Sequence, residues 1–392
     1  MWTDHTPPVD SHEFLHSVSA LLSVPLVTGG TVKLLNNGDA WLEAMLADFA
    51  AAEHSISFSV YTWEPGELSD IIFETLVARA RAGVSVRVLI DAVGGKSCPN
   101  EDIERLRDAS GQVCVFRPLK VGKVDHFHLR NHRRAIVIDG RIGYTGGMAV
   151  SDQWLGDARN EREWRDIMVR VTGPIAQNVQ SAFAELWAYV CGEVLSGPHY
   201  FPADTDDKSN IRSIGVVSSP ASEEQPLHLF FFKTFMSARK RLWITTPYFI
   251  VPKSTQEQLI SRAEAGVDVR IMLPSHHTDA KSVRRAGQGA FEKLLEAGVR
   301  IFEYQPTMVH SKAIVVDSIW SIVGSANMDI RSAELNEENV LGILDPQLAY
   351  DLEQAFQRDM ERAVEIDKEE WRRRGLAQRA LERVSGLLSE QY

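Results

Sequence analysis

Two stretches of this chain set an imidazole two residues ahead of a cation: His132 and Arg134 in NHRRAIVIDG, and His310 and Lys312 in VHSKAIVVDS. Apolar runs follow both, so each motif reads as the start of a buried strand. Side chains alternate across a strand, which puts the members of each pair on one face about 7 Å apart. An imidazole beside a fixed cation suits attack on, or proton donation at, a phosphate diester whose oxygens the cation neutralises. Imidazole titrates near neutrality, so two such sets facing each other supply both ends of the reaction, a nucleophile and a general acid for the departing alkoxide. A single pair of this kind is more often an inconsequential surface feature. Here the pattern occurs twice, each time followed by an apolar strand, an Asp (Asp139, Asp317) and a turn.

The elements that must position these residues also occur twice. Residues 54–91 and 241–274 share one order: an apolar strand with a Tyr (Tyr61, Tyr248), a polar loop, a helical pattern ending in Ala-Gly-Val, and a second apolar strand. Gly83 and Gly266 stand where a helix stops with positive φ. Strand, helix, strand is a βαβ unit, and the nearly all-apolar VSVRVLID and VDVRIML read as strands buried on both faces. Asp139-Gly140 is a hairpin signal, and the small residues Gly146-Gly147 and Gly324-Ser325-Ala326-Asn327 leave room for a ligand near the backbone. The Pro, Gly, Asp and Ser-rich segment 196–210 reads as a linker. The expectation is an α/β fold of two domains, 1–205 and 206–392.

Bulk properties narrow the function. With 42 Lys and Arg against 53 Asp and Glu, the net charge of −11 argues against a surface built for nucleic acid. Cys98, Cys114 and Cys191 are odd in number and lack CxxC spacing, so neither a disulfide framework nor a zinc site is expected, and a reducing compartment fits. No apolar run approaches the ~20 residues that span a bilayer, and the first residues lack a secretory start. A cytoplasmic location is expected.

The two motifs resemble the HKD motifs of the phospholipase D superfamily, and the detail is similar to its bacterial cardiolipin synthase branch. The resemblance is carried by TGGTVKLLNNGDAWLEAMLADFAAAEHSI, NHRRAIVIDGRIGYTGGMAVSDQWLG, WRDIMVRVTGP, HSKAIVVD with GSANMDIRS, and LNEENVLGILD, and it covers nearly the whole chain beyond residue 27. It implies two phospholipase D-like domains related by a pseudo-twofold axis, mixed sheets flanked by helices, and one metal-independent, cofactor-free site at the interface. It further implies phosphatidyl transfer through a phosphohistidine to an alcohol or water. His132 then corresponds to the nucleophile and His310 to the acid-base partner, with the reverse assignment open. Lys312 and Asn327 correspond to groups holding phosphate oxygens, and Asp166 and Glu338 to acids that orient the histidines. Asp139 and Asp317 are expected to support the scaffold. Arg130, Ser325, Tyr61 and Tyr248 are candidates for substrate contact.

The first half departs from the family pattern at Arg134, usually Lys, and at Ala149, usually the Asn that Asn327 represents. Arg keeps the charge but is longer and planar. A phospholipase D-type hydrolase is the nearest rival to a synthase; a phosphodiester nuclease and an inactive lipid-binding relative are readings of other classes. The expected partners are a phospholipid substrate and an anionic membrane surface reached peripherally. Lys120, Lys123, His126, His128 and Arg130 form a basic cluster suited to headgroups. An amphipathic C-terminal helix at about 368–390, with Trp371, Arg372–Arg374, Leu376, Ala380, Val384 and Leu387, suits either an anionic interface or the domain surface. Residues 14–26 fit an ordinary packing helix better than a membrane one. His276, His277 and Asp279 lack the spacing of a metal site.

Overall fold

The computed structural model describes residues 6–118, 128–203, 209–220 and 225–374. The first of its two large mixed sheets has seven strands, in edge-to-edge order Val32–Asn36, Ile167–Thr172, Ile142–Gly146, Ala135–Ile138, Ser55–Val60, Ser85–Asp91 and Gln112–Phe116. The second has nine: Leu26–Thr28, Arg212–Ser218, Glu338–Leu344, Trp320–Gly324, Ala313–Val316, Arg241–Thr245, Asp268–Pro274, Arg300–Tyr304 and Ala363–Glu365. Without its two edge strands, the second sheet repeats the first in chain order and in strand direction. In both, the last two neighbouring pairs are parallel and the others antiparallel. The mixed α/β architecture expected from the sequence is present, and the repeat runs through its topology.

Local chemistry explains the repeated parts. The helices Glu67–Arg81 and Lys253–Glu264 are followed by Gly83 at φ 90° and Gly266 at φ 87°. A Cβ at either glycine would meet nothing within 4 Å, so backbone sign rather than crowding selects glycine there. Ser85–Asp91 is buried from its second residue onward, as a parallel strand covered on both faces must be. One face of each sheet meets the other sheet: Ala135, Val137, Val169 and Val171 share a core with Val315, Val323, Leu341 and Ile343. The helices Pro174–Cys191 and Pro346–Met360 reinforce this joint, each packing on its own sheet and on the first strand of the other half.

Asp139 and Asp317 turn the two hairpins at φ 52°. Asp139 accepts backbone hydrogen bonds from Glu53, His54 and Ser55 at 2.9, 2.7 and 2.7 Å. Asp317 does the same for Arg239, Lys240 and Arg241 at 2.9, 2.7 and 2.8 Å. Each carboxylate thus pins the entry of the neighbouring strand, and neither lines the central cavity. Asp317→Ala is expected to lower unfolding free energy by about 2 kcal/mol, the scale for charged hydrogen bonds, as read by denaturant melts.

Two features differ from the sequence expectation, and a third settles a choice that it left open. The helix His12–Leu22 and strand Leu26–Thr28 join the second sheet, where Leu26–Thr28 pairs with Arg212–Ser218 and Phe14 sits 5.3 Å from Trp320, so residues before 29 do not belong with the first half. The cause is tertiary: Phe14, Leu15 and Val18 are buried in the core of the second sheet with Phe230 and Trp320. Cys114 and Cys191, 77 residues apart, are joined as a disulfide, contrary to the expectation of unpaired thiols. Helix Pro174–Cys191 brings Cys191 to the strand Gln112–Phe116 with a Cα separation of 6.3 Å, a proximity that spacing in the sequence does not reveal. The short helix Lys368–Arg373 is docked on the domain: Trp371 lies 5.3 Å from Phe291, and Arg372 and Arg374 pair with Glu296 and Glu292 at 3.0 and 3.3 Å. Arg372 and Arg374 are therefore engaged within the fold, while Leu376, Ala380, Val384 and Leu387 lie outside the described residues.

Candidate active site

Both histidines lie just ahead of their strands, in extended segments that pair with the opposite half. Asn131 bridges to Glu337, and Val309 to Arg165. The His132 amide donates to the Glu337 carbonyl at 2.9 Å, and the His310 amide to the Arg165 carbonyl at 2.7 Å. In return, the Glu337 amide donates to the Arg130 carbonyl and the Arg165 amide to the Met308 carbonyl, each at 2.9 Å. Glu337 and Arg165 are themselves held by buried ion pairs, Arg133–Glu337 at 2.8 Å and Arg165–Asp359 at 2.9 Å.

The side chains follow the same exchange. His132 Nδ1 lies 2.9 Å from Glu338 of the second half, and His310 Nδ1 lies 2.9 Å from Asp166 of the first. Each imidazole therefore donates Nδ1–H to a carboxylate across the joint, which fixes the tautomer and leaves Nε2 for chemistry. Both acids are fully buried. Asp166 also accepts from the Trp154 indole at 2.8 Å and the Ile167 amide at 2.7 Å; Glu338 accepts from the hydroxyls of Ser325 and, at 2.8 Å, Ser332. Burial by itself would raise both carboxyls, but the histidine and the nearby cation outweigh it and hold them below the usual range.

The same burial drives the imidazoles down. His132 is lowered to about 4 by desolvation and then by Arg134, and His310 to about 3 by desolvation and then by Lys312. Lys312 is itself lowered to about 7, chiefly by burial. Its ammonium stands 3.0 Å from both ring nitrogens of His310, equidistant and so aligned with neither lone pair. We read that contact as electrostatic; the directed bond runs to the His310 carbonyl at 2.7 Å. Arg134 makes the equivalent bond to the His132 carbonyl at 2.6 Å.

A cavity of about 460 Å³ is lined by both histidines together with Tyr61, Arg130, Arg134, Tyr248 and Asn327. Tyr61 packs 5.1 Å from His132, and Tyr248 lies 6.4 Å from His310 with its hydroxyl on Asp279. Lys312 stands behind His310 and is absent from the lining. Ser325 is absent too: its hydroxyl supports Glu338, in place of the substrate contact expected from the sequence. Ala149 is fully buried among apolar side chains, so the first half offers no donor where Asn327 stands in the second. The rings of His276 and His277 pack against each other with centroids 3.9 Å apart, and among the described residues no group of three His, Cys, Asp or Glu is placed to hold a metal ion. His128 is exposed beside the site, while Lys120, Lys123 and His126 lie outside the described residues.

Sequence reading missed several lining residues. Trp154 and Trp164 flank His310, each 5.3 Å from its ring, and Gln153 and Arg331 face the same space. A signal for the last two existed: the 178-residue offset that carries His132 onto His310 carries Gln153 onto Arg331.

Comparison with known proteins agrees with this architecture. Residues 45–187 and 231–360 match the family described as "Cardiolipin synthase, PLD-like domain". The chain is 34% identical over 359 residues to "Cardiolipin synthase 2" of Bacillus anthracis, spanning 91% of this chain and 70% of that one. It is 34% identical over 377 residues to "Cardiolipin synthase A" of Pseudomonas fluorescens, spanning 96% and 78%. Its fold is similar to the crystal structure of a phosphatidylserine synthase from Haemophilus influenzae, with a TM-score of 0.73 at 15% identity and coverage of 96% and 97%.

Proposed function

This chain belongs to the cardiolipin synthase, PLD-like domain family, and from that membership we propose that it is a phosphatidyltransferase that joins two molecules of phosphatidylglycerol into cardiolipin and glycerol. One observation carries the reading: two imidazoles, each fixed at Nδ1 by a carboxylate of the opposite half, line one cavity.

In the proposed sequence His132 Nε2 attacks the donor phosphorus. A P–N bond forms as the P–O bond to the donor glycerol breaks, and the His310 imidazolium gives its proton to the leaving oxygen. Neutral His310 then takes the proton of the incoming hydroxyl, whose oxygen forms the new P–O bond as the P–N bond breaks. Arg134 and Asn327 hold the non-bridging oxygens, and Lys312 adds charge from behind His310. Splitting one displacement into two through a covalent intermediate suits phosphoryl chemistry, where alignment and charge stabilisation supply most of the rate. Among the described residues no helix is long and apolar enough to cross a membrane, and we take the lipid to be met peripherally at an anionic surface.

Purified protein incubated with phosphatidylglycerol vesicles in excess chelator is expected to yield cardiolipin and glycerol in equal amounts. Phosphatidic acid without cardiolipin would mean that water is the acceptor and the protein a hydrolase. Loss of activity on chelation would contradict the metal-free scheme.

The histidine shifts set the pH dependence. Because His310 is lowered in the free protein, its acid form disappears early as pH rises, and the alkaline limb of kcat/KM falls below the ordinary imidazole range. A bound phosphodiester brings negative charge, which favours the imidazolium and raises that value. The alkaline limb of kcat is therefore expected at higher pH than that of kcat/KM; coincident limbs would remove His310 as the acid.

A further inference from the structure

The two halves contribute equivalent histidines but unequal cations. Arg130 and Arg331 both line the cavity, yet the 178-residue offset that superposes the motifs places neutral Met308 opposite Arg130 and neutral Gln153 opposite Arg331. Nothing in the histidine chemistry, which both halves share, calls for these two guanidiniums. They converge on one side of the cavity although they come from different halves. Arg331, on the short helix Ile330–Glu334, donates to the carbonyl of His128 at 3.3 Å, two residues before Arg130. The Tyr61 hydroxyl lies in the field of Asp91 and, against it, of Arg331, Arg134 and Arg130, and Tyr61 lies against His132. Arg130 is almost fully buried, its Nη1 3.7 Å from Asp91, whose carboxylate is held by three backbone amides, so its position is set by the fold. Asn336 lines the same cavity, and its amide oxygen is buried without a hydrogen-bond partner among the described residues.

One phosphodiester needs the cations beside the histidines and no more. We propose that Arg331 and Arg130, with the Tyr61 hydroxyl, form a second phosphate subsite, which holds the phosphate of the acceptor lipid while its glycerol hydroxyl reaches the phosphorus on the histidine. The assignment rests on the transferase reading and adds where the acceptor's own phosphate is held. A guanidinium fork recognises phosphate oxygens in pairs, giving position as well as charge. Water and free glycerol gain nothing from such a subsite, so it biases the phosphohistidine toward transfer to lipid.

Two measurements test this on the full chain. Equilibrium binding of glycerol 1,3-bisphosphate and of glycerol 3-phosphate is expected to favour the bisphosphate by about tenfold or more, the scale of one charge-assisted contact. Arg331→Ala should shrink that gap to within twofold, and Arg331→Lys should restore part of it. Arg331 is half-buried, so neither change threatens the core. With phosphatidylglycerol vesicles, Arg331→Ala should lower the ratio of cardiolipin to phosphatidic acid by a similar factor, whatever happens to total turnover. Equal binding of the two probes by the wild type, or an unchanged gap in Arg331→Ala, overturns the subsite. A closed gap with an unchanged product ratio overturns the acceptor assignment. A wild type that binds the bisphosphate preferentially but makes no cardiolipin overturns the transferase reading and leaves the subsite standing.

Discussion

His310→Ala is expected to lower phosphatidyl transfer between lipids roughly ten-thousandfold or more while leaving the first chemical step open to a substrate that needs no acid. A glycerol alkoxide departs poorly without a proton, whereas 4-nitrophenolate departs on its own. Given a 4-nitrophenyl phosphodiester, the variant should release one equivalent of nitrophenolate per site and then stall, because the base that activates the acceptor is also missing. The trapped phosphoryl group should be found on His132 by mass spectrometry. His132→Ala should give neither burst nor adduct. The opposite pattern would exchange the two roles but keep the pair, and full activity of either variant would remove the two-histidine scheme. Both rings are almost fully buried, so a thermal melt of each variant must accompany the kinetics.

The crossed carboxylates lead to the second prediction, and its pattern matters more than its size. Asp166 sits in the first half but serves His310, and Glu338 sits in the second but serves His132. Asp166→Asn should therefore behave like a weakened His310 variant, losing roughly 10²–10⁴-fold with lipid and recovering with the nitrophenyl substrate. Removing the anion beside the imidazolium also lowers its pKa further, so the alkaline limb of kcat should move to lower pH. Glu338→Gln should instead behave like a weakened His132 variant. Its amide can donate to Nδ1, which shifts the ring proton to Nε2 and ties up the lone pair that attacks phosphorus, so no leaving group rescues it. If Asp166→Asn resembled a loss of His132, each carboxylate would be serving the histidine of its own half, contrary to the distances.

How much of this was legible beforehand depends on the range of the physics involved. The offset that relates His132 to His310, the βαβ order, the glycines at 83 and 266 and the hairpin at Asp139-Gly140 all follow from rules that act within a few residues. Amphipathic period, turn chemistry and backbone sign are written locally, and a duplication makes them readable twice.

What only the folded chain decided depends on how the two sheets meet. The family resemblance named Asp166 and Glu338 as partners for imidazoles, but only the joint between the halves gave Asp166 to His310 and Glu338 to His132. The same joint let Arg331 reach across to the loop that carries Arg130, while packing within the second half set Lys312 against His310 and turned Ser325 toward Glu338. Tertiary packing also put Phe14 and its neighbours into the core of the second sheet, and set Cys191 beside Cys114. Tertiary contacts of this kind leave no period in the sequence, because they are selected by the fit of one buried face against another. The chain therefore announces by itself which groups can act on a phosphate, whereas the packing of its two halves determines which of them act together.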